Sequence, residues 1–329
     1  MLNLVENEYK VGNVIKDDIH QEKRKLIEKV KEENEFDNLI EEIAESTKIS
    51  ETDKRSFIFK LQRLKRAKIN ILITGATGCG KSSTINALFG DNVAKIGQSV
   101  NPETMDMQQY VLNNNLILWD SPGLGDGKEA DLKHIQNIIN KLQEKDDEGN
   151  ALIDLVLVIL DGSSRDLGTS YQLINEVVIP NLGENTKRLL VAINQCDMAM
   201  KGRYWDDEKN CPEEPLVQFL DEKVESVKKR IQEATGEEIE AIYYSAGYKD
   251  GDGEQYPYNL SKLLMFIAKH TKEEKRVLYQ RAQNKNKEAW ARNDGKQNYN
   301  SEIKDLLDDP TIRFIAGLAC TVIFGFSFF

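Results

Sequence analysis

Apolar positions along the chain predict helices first and an alternating α/β region after them. Between Ile19 and Ser46 the sequence is highly charged, and its apolar residues recur at the spacing of one helix face. They are Leu26, Val30, Phe36, Ile40 and Ile43. A shorter stretch repeats this spacing with Phe57, Leu61 and Leu64. We therefore expect a helical N-terminal region over residues 1–68.

Short apolar runs alternate with helical patterns from residue 69 to residue 270, as in strands joined by crossover helices. The runs around Val156 and Val191 show no polar alternation, which is typical of strands covered on both faces near the centre of a sheet. The fold class predicted is α/β, with a mixed, mostly parallel sheet flanked by helical N- and C-terminal regions. The predicted strands are Asn70–Thr74, Tyr110–Leu112, Leu116–Trp119, Leu155–Leu160, Leu189–Ile193 and Ile242–Tyr244.

The C-terminal part of the chain has two contrasting segments. Residues 271–310 are polar and predict a weakly packed helical segment. Phe314–Phe329 carries no charge, and as a helix it would span roughly 24 Å, short of the ~30 Å hydrocarbon core. Small residues recur there every fourth position, a spacing that lets membrane helices approach closely. Two interpretations of a hydrophobic helix at 311–329 stay open: contact with a membrane or helix partner, and burial in a groove of the domain.

Charge and cysteine content narrow the class of protein. The 44 Lys and Arg against 55 Asp and Glu give a formal net charge of -11, which offers no specific signal for nucleic acid. The cysteines form no disulfide or zinc spacing, and the N-terminus lacks the pattern of a secretory signal. We expect a cytoplasmic protein, with membrane association through the C-terminal segment as the open alternative.

A phosphate-binding loop follows the first predicted strand. Gly75 to Ser82 match G-x-x-x-x-G-K-S between a strand and a helix, the setting that this motif requires. Its glycines allow backbone N–H groups to face phosphate oxygens, Lys81 is expected to reach the β- and γ-phosphates, and Ser82 to ligate Mg²⁺. The nucleotide-binding residues predicted here are Gly75, Ala76, Thr77, Gly78, Cys79, Gly80, Lys81, Ser82 and Ser83.

Two further elements predict contacts to magnesium and the γ-phosphate. Asp120 ends a strand and begins D-x-x-G, so it is expected to hold Mg²⁺ while the N–H of Gly123 senses the γ-phosphate. Thr104, in the loop between the first two motifs, is predicted as the second Mg²⁺ hydroxyl, with Ser99 as the alternative. The predicted catalytic residues are therefore Lys81, Thr104 and Gly123, and the predicted metal ligands are Ser82, Thr104 and Asp120.

A base-reading element ends another apolar strand. The carboxylate of Asp197 can accept both N1–H and the exocyclic amine of guanine, which adenine does not offer in that arrangement, so it favours guanine over adenine. Asn194 is expected to brace this loop and to contact N7 of guanine. The nucleotide-binding residues predicted here are Asn194, Gln195 and Asp197. Ser245 and Ala246 follow the last predicted strand, where their backbone N–H groups are expected to meet guanine O6.

The chain resembles the translation-factor-related class of P-loop GTPases in four stretches: GATGCGKSSTINALFG, NPETMD, LWDSPGLGDG and NQCDMAMKGRYWD. Within that class it is similar to bacterial Era-like GTPases and, more distantly, to immunity-related GTPases. The resemblance covers about Lys68 to Lys269. It implies a three-layer G domain over residues 69–270 that binds GTP/GDP and Mg²⁺ and hydrolyses GTP to GDP and phosphate as a conformational switch.

Three positions depart from that resemblance. Gln195 replaces the usual lysine, which should lower guanine affinity and keep specificity. Leu124 stands where Ras-like proteins carry the glutamine that orients the attacking water. We therefore expect slow intrinsic turnover, with help from a partner or from a homodimer of G domains. Gly78 stands where potassium-activated relatives have asparagine, so potassium dependence is not expected.

Several alternatives stay open from the sequence. His134 is interpreted as an exposed helix residue, with a trans-acting catalytic role as the second reading. Cys79 is either a small loop residue or a reactive thiol at a helix N-terminus. The alternative to a hydrolysing switch is a nucleotide-dependent scaffold with little hydrolysis, and an ATPase or kinase would require adenine binding.

Overall fold

The structure is a computed structural model that describes residues 36–47, 49–90, 93–94, 107–125, 127–183, 185–250 and 253–308. The predictions for the N-terminal residues before 36, for Thr104 and Ser99, and for the tail at 311–329 lie outside these residues. The chain divides into two compact units, one comprising residues 1–66 and 310–326 and the other centred on residues 67–309.

The described part of the first unit is an antiparallel pair of helices. Residues 36–45 form α1 and Glu51–Arg66 form α2. Lys65 at the end of α2 pairs with Asp37 at the start of α1, with 2.6 Å between Nζ and Oδ1. The buried face of α1 includes Leu39 instead of the predicted Ile40, which is partly exposed. Helices are thus present within the described part of residues 36–66, where Phe36 and Ile43 are buried as predicted and Leu39 takes the place of Ile40.

Six strands form the central sheet of the second unit, in the order β2-β3-β1-β4-β5-β8. Only β2 among these six is antiparallel to its neighbour. Each predicted strand is present with ends shifted by no more than two residues. The strands are β1 Ile69–Gly75, β2 Gln108–Val111, β3 Leu116–Asp120, β4 Leu155–Asp161, β5 Leu189–Asn194 and β8 Glu240–Tyr243.

Helices cover this sheet, and two short ribbons extend from it. The larger helices carry a buried apolar face, as their periodicity requires. The helical pieces are α3 Lys81–Phe89, α4 Lys128–Gln143, α5 Gly168–Gln172, a π-helical stretch Leu173–Val178, α6 Ile179–Asn181, α7 Glu214–Thr235 and α8 Leu260–His270. The ribbons pair β6 Trp205–Asp206 with β7 Cys211–Pro212, and β9 Tyr248–Asp250 with β10 Gly253–Gln255.

The mostly parallel sheet places the functional motifs at one edge. Strands β1, β3, β4, β5 and β8 all run in the same direction, so their carboxyl ends lie together. In register, Ile73 of β1 lies beside Asp120 of β3, and Asp161 of β4 lies beside Asn194 of β5. Strands β4 and β5 are buried almost throughout, as their uniform apolar pattern predicts.

The segment after α8 packs more tightly than its polar composition predicts. It contains α9 Glu273–Arg276, α10 Tyr279–Ala282 and α11 Tyr299–Leu307. Its buried residues include Val277, Leu278, Tyr279, Trp290, Tyr299, Ile303 and Leu307. Asn284 also bonds to α3: its N–H donates to Leu88 O at 2.9 Å and its Nδ2 to Ala87 O at 3.0 Å. The expectation of weak packing is therefore wrong.

No helix within the described ranges combines the length and the apolar content needed to cross a membrane.

Candidate nucleotide-binding site

The phosphate-binding loop joins β1 to α3 through a tightly packed backbone turn. Gly80 has φ +89°, and a Cβ at this position would lie 2.2 Å from Asn194 Nδ2. A Cβ on Gly75 would lie 2.2 Å from the carbonyl oxygen of Ile159. Both positions therefore require glycine, because any side chain would displace the base-reading loop or the neighbouring strand.

The predicted phosphate-contacting residues line this loop. Lys81 is buried and its Nζ donates to Gly75 O at 3.3 Å and Ala76 O at 3.2 Å, so the ammonium group is folded back over the loop. Thr77 and Gly78 are exposed at the tip. Ser82 and Ser83 are partly buried in the first turn of α3. One lysine and the first turn of a helix thus meet at this loop, an arrangement that suits an anion.

Asp120 is a buried carboxylate with one unsatisfied oxygen. Burial raises the pKa of Asp120 to about 6, partly offset by the Lys81 ammonium and a hydrogen bond from Ser82. Ser82 Oγ lies 3.5 Å from Asp120 Oδ2, while Oδ1 has no hydrogen-bond partner in the described structure. An unpaired buried carboxylate is costly, and a hydroxyl beside a carboxylate is a donor set that Mg²⁺ accepts. These two side chains therefore fit a magnesium ion.

The residues after Asp120 are docked on the phosphate loop. Thr77 N–H donates to Leu124 O at 3.0 Å, and Leu124 N–H donates to Gly75 O at 3.4 Å. Gly123 lies so close that an added Cβ would be 2.5 Å from Thr77 Cα. The side chain of Leu124 is buried in the core cluster that contains Ile138. Leu124 thus contributes its backbone to this contact and its side chain to the core.

His134 is buried under this segment, contrary to the expectation of an exposed residue. Its side chain is 3% exposed, and Nδ1 lies 3.2 Å from the carbonyl oxygen of Gly123. Because a carbonyl only accepts, Nδ1 is the donor and carries the proton. A ring held inside its own domain is not placed to act on a second molecule.

Asn194 ties the base-reading loop to the phosphate loop. It is buried, its Nδ2 donates to Cys79 O at 3.0 Å, and its Oδ1 accepts from Ala246 N–H at 2.9 Å. Gln195 adopts a left-handed conformation with φ 57°, and its Nε2 donates to Gly78 O at 2.9 Å. The amide of Gln195 thus adds a second tie between the two loops.

Asp197 is the second buried carboxylate with an unsatisfied oxygen. It is 8% exposed, and its Oδ1 has no partner among the residues that the structure describes. The N–H groups of Ser245 and Ala246 both donate within the protein, to Tyr258 O and to Asn194 Oδ1 respectively. In this structure the unpaired acceptor at the base end is therefore Asp197.

Two contacts near the site have no clear signal in the sequence. Tyr244 is fully buried, and its hydroxyl lies 2.5 Å from Thr84 Oγ1, which in turn donates to Gly80 O at 2.8 Å. Lys223 of α7 donates to Gly162 O at 2.6 Å, beside the end of β5. Both pairs join residues more than 60 positions apart, so only the folded topology brings them together.

Cys79 is buried inside the loop. Its side chain is 0% exposed, and burial is the main cause that raises the pKa of its thiol, with Lys81 opposing. A buried neutral thiol is poorly reactive. The structure therefore favours the interpretation of Cys79 as a small loop residue.

Comparison with known proteins places the motifs in a family. Residues 70–195 match the protein family described as 50S ribosome-binding GTPase. Interferon-inducible GTPase 1 of Mus musculus is 39% identical over 72 residues, which is 20% of this chain and 17% of that protein. Interferon-gamma-inducible GTPase 10 of the same organism is 39% identical over 70 residues, again 17% of its length. The chain thus matches about a sixth of these relatives.

The chain is also similar to solved structures. Toc33 from Arabidopsis thaliana, a dimerization-deficient mutant, is 17% identical, with a TM-score of 0.44 over 69% of this chain and 93% of that chain. Era from Aquifex aeolicus is 20% identical, with a TM-score of 0.40 over 67% and 59%. The family match and the ordered motifs confirm the resemblance: this chain carries a P-loop GTPase domain.

Proposed function

We propose that the chain binds GTP with Mg²⁺ and hydrolyses it to GDP and phosphate as a conformational switch. The main support is the pair of buried carboxylate oxygens, Asp120 Oδ1 and Asp197 Oδ1, that lack partners in the described residues. One belongs to the strand end beside Ser82, and the other to the loop that Asn194 ties to the phosphate loop. A magnesium ion and a guanine ring would satisfy these two oxygens.

At the phosphate end, the chain's own residues bind and orient. Lys81 would leave its two carbonyl acceptors for phosphate oxygens, and Gly123 would present its N–H to the γ-phosphate. Ser82 and Asp120 would hold Mg²⁺, with Thr104 proposed as a further ligand. The bound ion supplies charge neutralisation for the phosphates.

At the base end, Asp197 would accept N1–H and the exocyclic amine of guanine. Asn194 keeps this loop in register through its bonds to Cys79 O and Ala246 N–H. Gln195 adds a second tie to the phosphate loop, because its amide donates to Gly78 O. Guanine selectivity would therefore depend on Asp197, with the other two residues acting through backbone geometry.

A substitution of Asp197 that changes the preferred nucleotide tests this assignment. Asp197→Asn replaces an acceptor by an amide donor, which matches the 2-carbonyl of xanthine better than the 2-amine of guanine. We expect GTP affinity to fall and XTP affinity to rise in equilibrium titrations with fluorescent nucleotides. Asp207→Asn, on an exposed acidic residue in the turn between β6 and β7, should leave both affinities unchanged. The proposal would be refuted if Asp197→Asn lost affinity for GTP and XTP equally. It would also be refuted if the wild type bound ATP as tightly as GTP.

We propose that the chain hydrolyses GTP slowly when it acts alone. The Leu124 side chain is buried in the core, and its aliphatic atoms cannot orient a water molecule. We propose that a partner or a second copy of the G domain completes the site. Single-turnover hydrolysis measured at rising protein concentration should accelerate if a second copy contributes.

The burial of Leu124 also favours the second candidate function, a GTP-dependent scaffold with little hydrolysis. A low rate that stays flat with protein concentration would support the scaffold and exclude activation by a second copy. Membrane attachment through residues 311–329 is a separate part of the proposal. Vesicle flotation of the full chain beside a chain ending at Asp309 tests it, and equal flotation of the two would exclude that role.

A further inference from the structure

Two side chains of α4 hold the segment Gly123–Gly125 from both ends. His134 Nδ1–H donates to Gly123 O at 3.2 Å. The N–H of Gly125 donates to Asp131 Oδ1 at 2.9 Å. His134 and Asp131 are three positions apart and therefore lie on one face of the helix. The helix thus contacts one peptide group on each side of Leu124.

The same segment is pressed against the phosphate loop on its other side. Thr77 N–H and Gly75 O both bond to the backbone of Leu124. The close approach of Gly123 to Thr77 leaves no room for a side chain at position 123. The segment Gly123–Gly125 is therefore clamped between the phosphate loop and α4.

We propose that His134 and Asp131 are positioning residues for GTP hydrolysis, which keep the peptide of Gly123 beside the phosphate loop where a γ-phosphate would lie. This inference rests on the proposed function. Both residues bond to the backbone of this segment, so they would act through the position of that backbone. The segment is thereby already ordered in the folded protein, so nucleotide binding does not carry the entropic cost of ordering it.

The strength of the effect follows from the environment of each bond. The bond of His134 is buried, since both the ring and Gly123 are inaccessible to solvent. Losing one buried hydrogen bond should weaken the preference for a GTP analogue over GDP by roughly three- to tenfold. The bond of Asp131 is exposed, so its loss should have the smaller effect. GDP affinity should stay unchanged, because GDP has no γ-phosphate.

Matched variants separate positioning from folding. His134→Leu removes the donor and keeps an apolar side chain, whereas His134→Asn places an amide nitrogen near the position of Nδ1. Asp131→Ala and Asp131→Asn form the equivalent pair for the acceptor. Gln136→Ala, on the exposed face of α4, is the control. For each protein we would measure affinities for GDP and for a non-hydrolysable GTP analogue, and the single-turnover rate of GTP hydrolysis.

The expected result is a lower ratio of GTP-analogue to GDP affinity and a slower single turnover in His134→Leu. Both should recover at least in part in His134→Asn, and Gln136→Ala should match the wild type. A wild-type ratio and rate in His134→Leu would overturn the positioning role while leaving nucleotide binding intact. A parallel loss of both nucleotides would also overturn it, because that result indicates a structural role. Failure of the wild type to bind either nucleotide would instead overturn the proposed function.

Discussion

Asn194 provides the sharpest test of how the site is held together. Its side chain donates to Cys79 O and accepts from Ala246 N–H, and it is 2% exposed. The substitution Asn194→Ala removes both of these hydrogen bonds at once. The carbonyl of the phosphate loop and the N–H that follows β8 would then be left buried and unpaired, apart from any water that enters the new space.

The expected cost follows from these two bonds. An unsatisfied buried polar group costs about 1–3 kcal/mol, so the two together predict a loss of about 2–6 kcal/mol in the free energy of unfolding. We expect the lower half of this range, because water can replace part of the removed amide. Even this is a large share of the ~5–15 kcal/mol of a typical domain.

Urea unfolding of the nucleotide-free protein measures this loss. Trp119, Trp205 and Trp290 all belong to the second unit, so tryptophan fluorescence reports on the unit that contains Asn194. Gln195→Ala is the control. It removes a single hydrogen bond that is more exposed to solvent, so the free energy of unfolding should fall by about 1 kcal/mol or less. The reasoning is refuted if Asn194→Ala loses no more stability than Gln195→Ala.

Three further outcomes are expected. The raised pKa of Asp120, about 6, means that the folded protein binds this proton more tightly than the unfolded chain. Its metal-free stability should therefore fall as pH rises from about 4 to 6, and Asp120→Asn should remove that slope in urea unfolding at several pH values. Gly80→Ala should abolish nucleotide binding and lower the unfolding midpoint, because its Cβ would collide with Asn194; a normal titration would contradict this. With Cys320→Ser as background, iodoacetamide followed by mass spectrometry should label the partly exposed Cys211 before Cys79, and early labelling of Cys79 would count against its burial.

The sequence was sufficient to predict the six strands of the central sheet and the order of the motifs. Uniform apolar runs such as that around Val156 identify buried strands, and a parallel sheet then brings their carboxyl ends to one edge. Local periodicity could not identify the ribbon of β6 and β7, because each strand has only two residues. The expectation that His134 is exposed is also wrong, because its ring is held by a backbone carbonyl eleven positions earlier.

The segment 271–308 shows another limit of composition. Two of its buried residues, Trp290 and Ile303, are widely spaced among polar residues and belong to no apolar run. They are buried because α8 supplies a complementary surface from earlier in the chain: Ser261 Oγ, for example, donates to Trp290 O at 3.1 Å. Such pairing depends on tertiary packing, which a periodicity of 3.6 residues does not encode.

The hydrogen bonds of Asn284 determine where a fragment that contains the GTPase unit can end. Helix α3 carries Lys81 in its first turn, and its last-turn carbonyls at Ala87 and Leu88 are completed by Asn284, far along the chain. A fragment ending at residue 270 would lose those donors and leave the end of this helix open. The smallest fragment suitable for biochemistry therefore extends beyond residue 284, although the sequence motifs end much earlier.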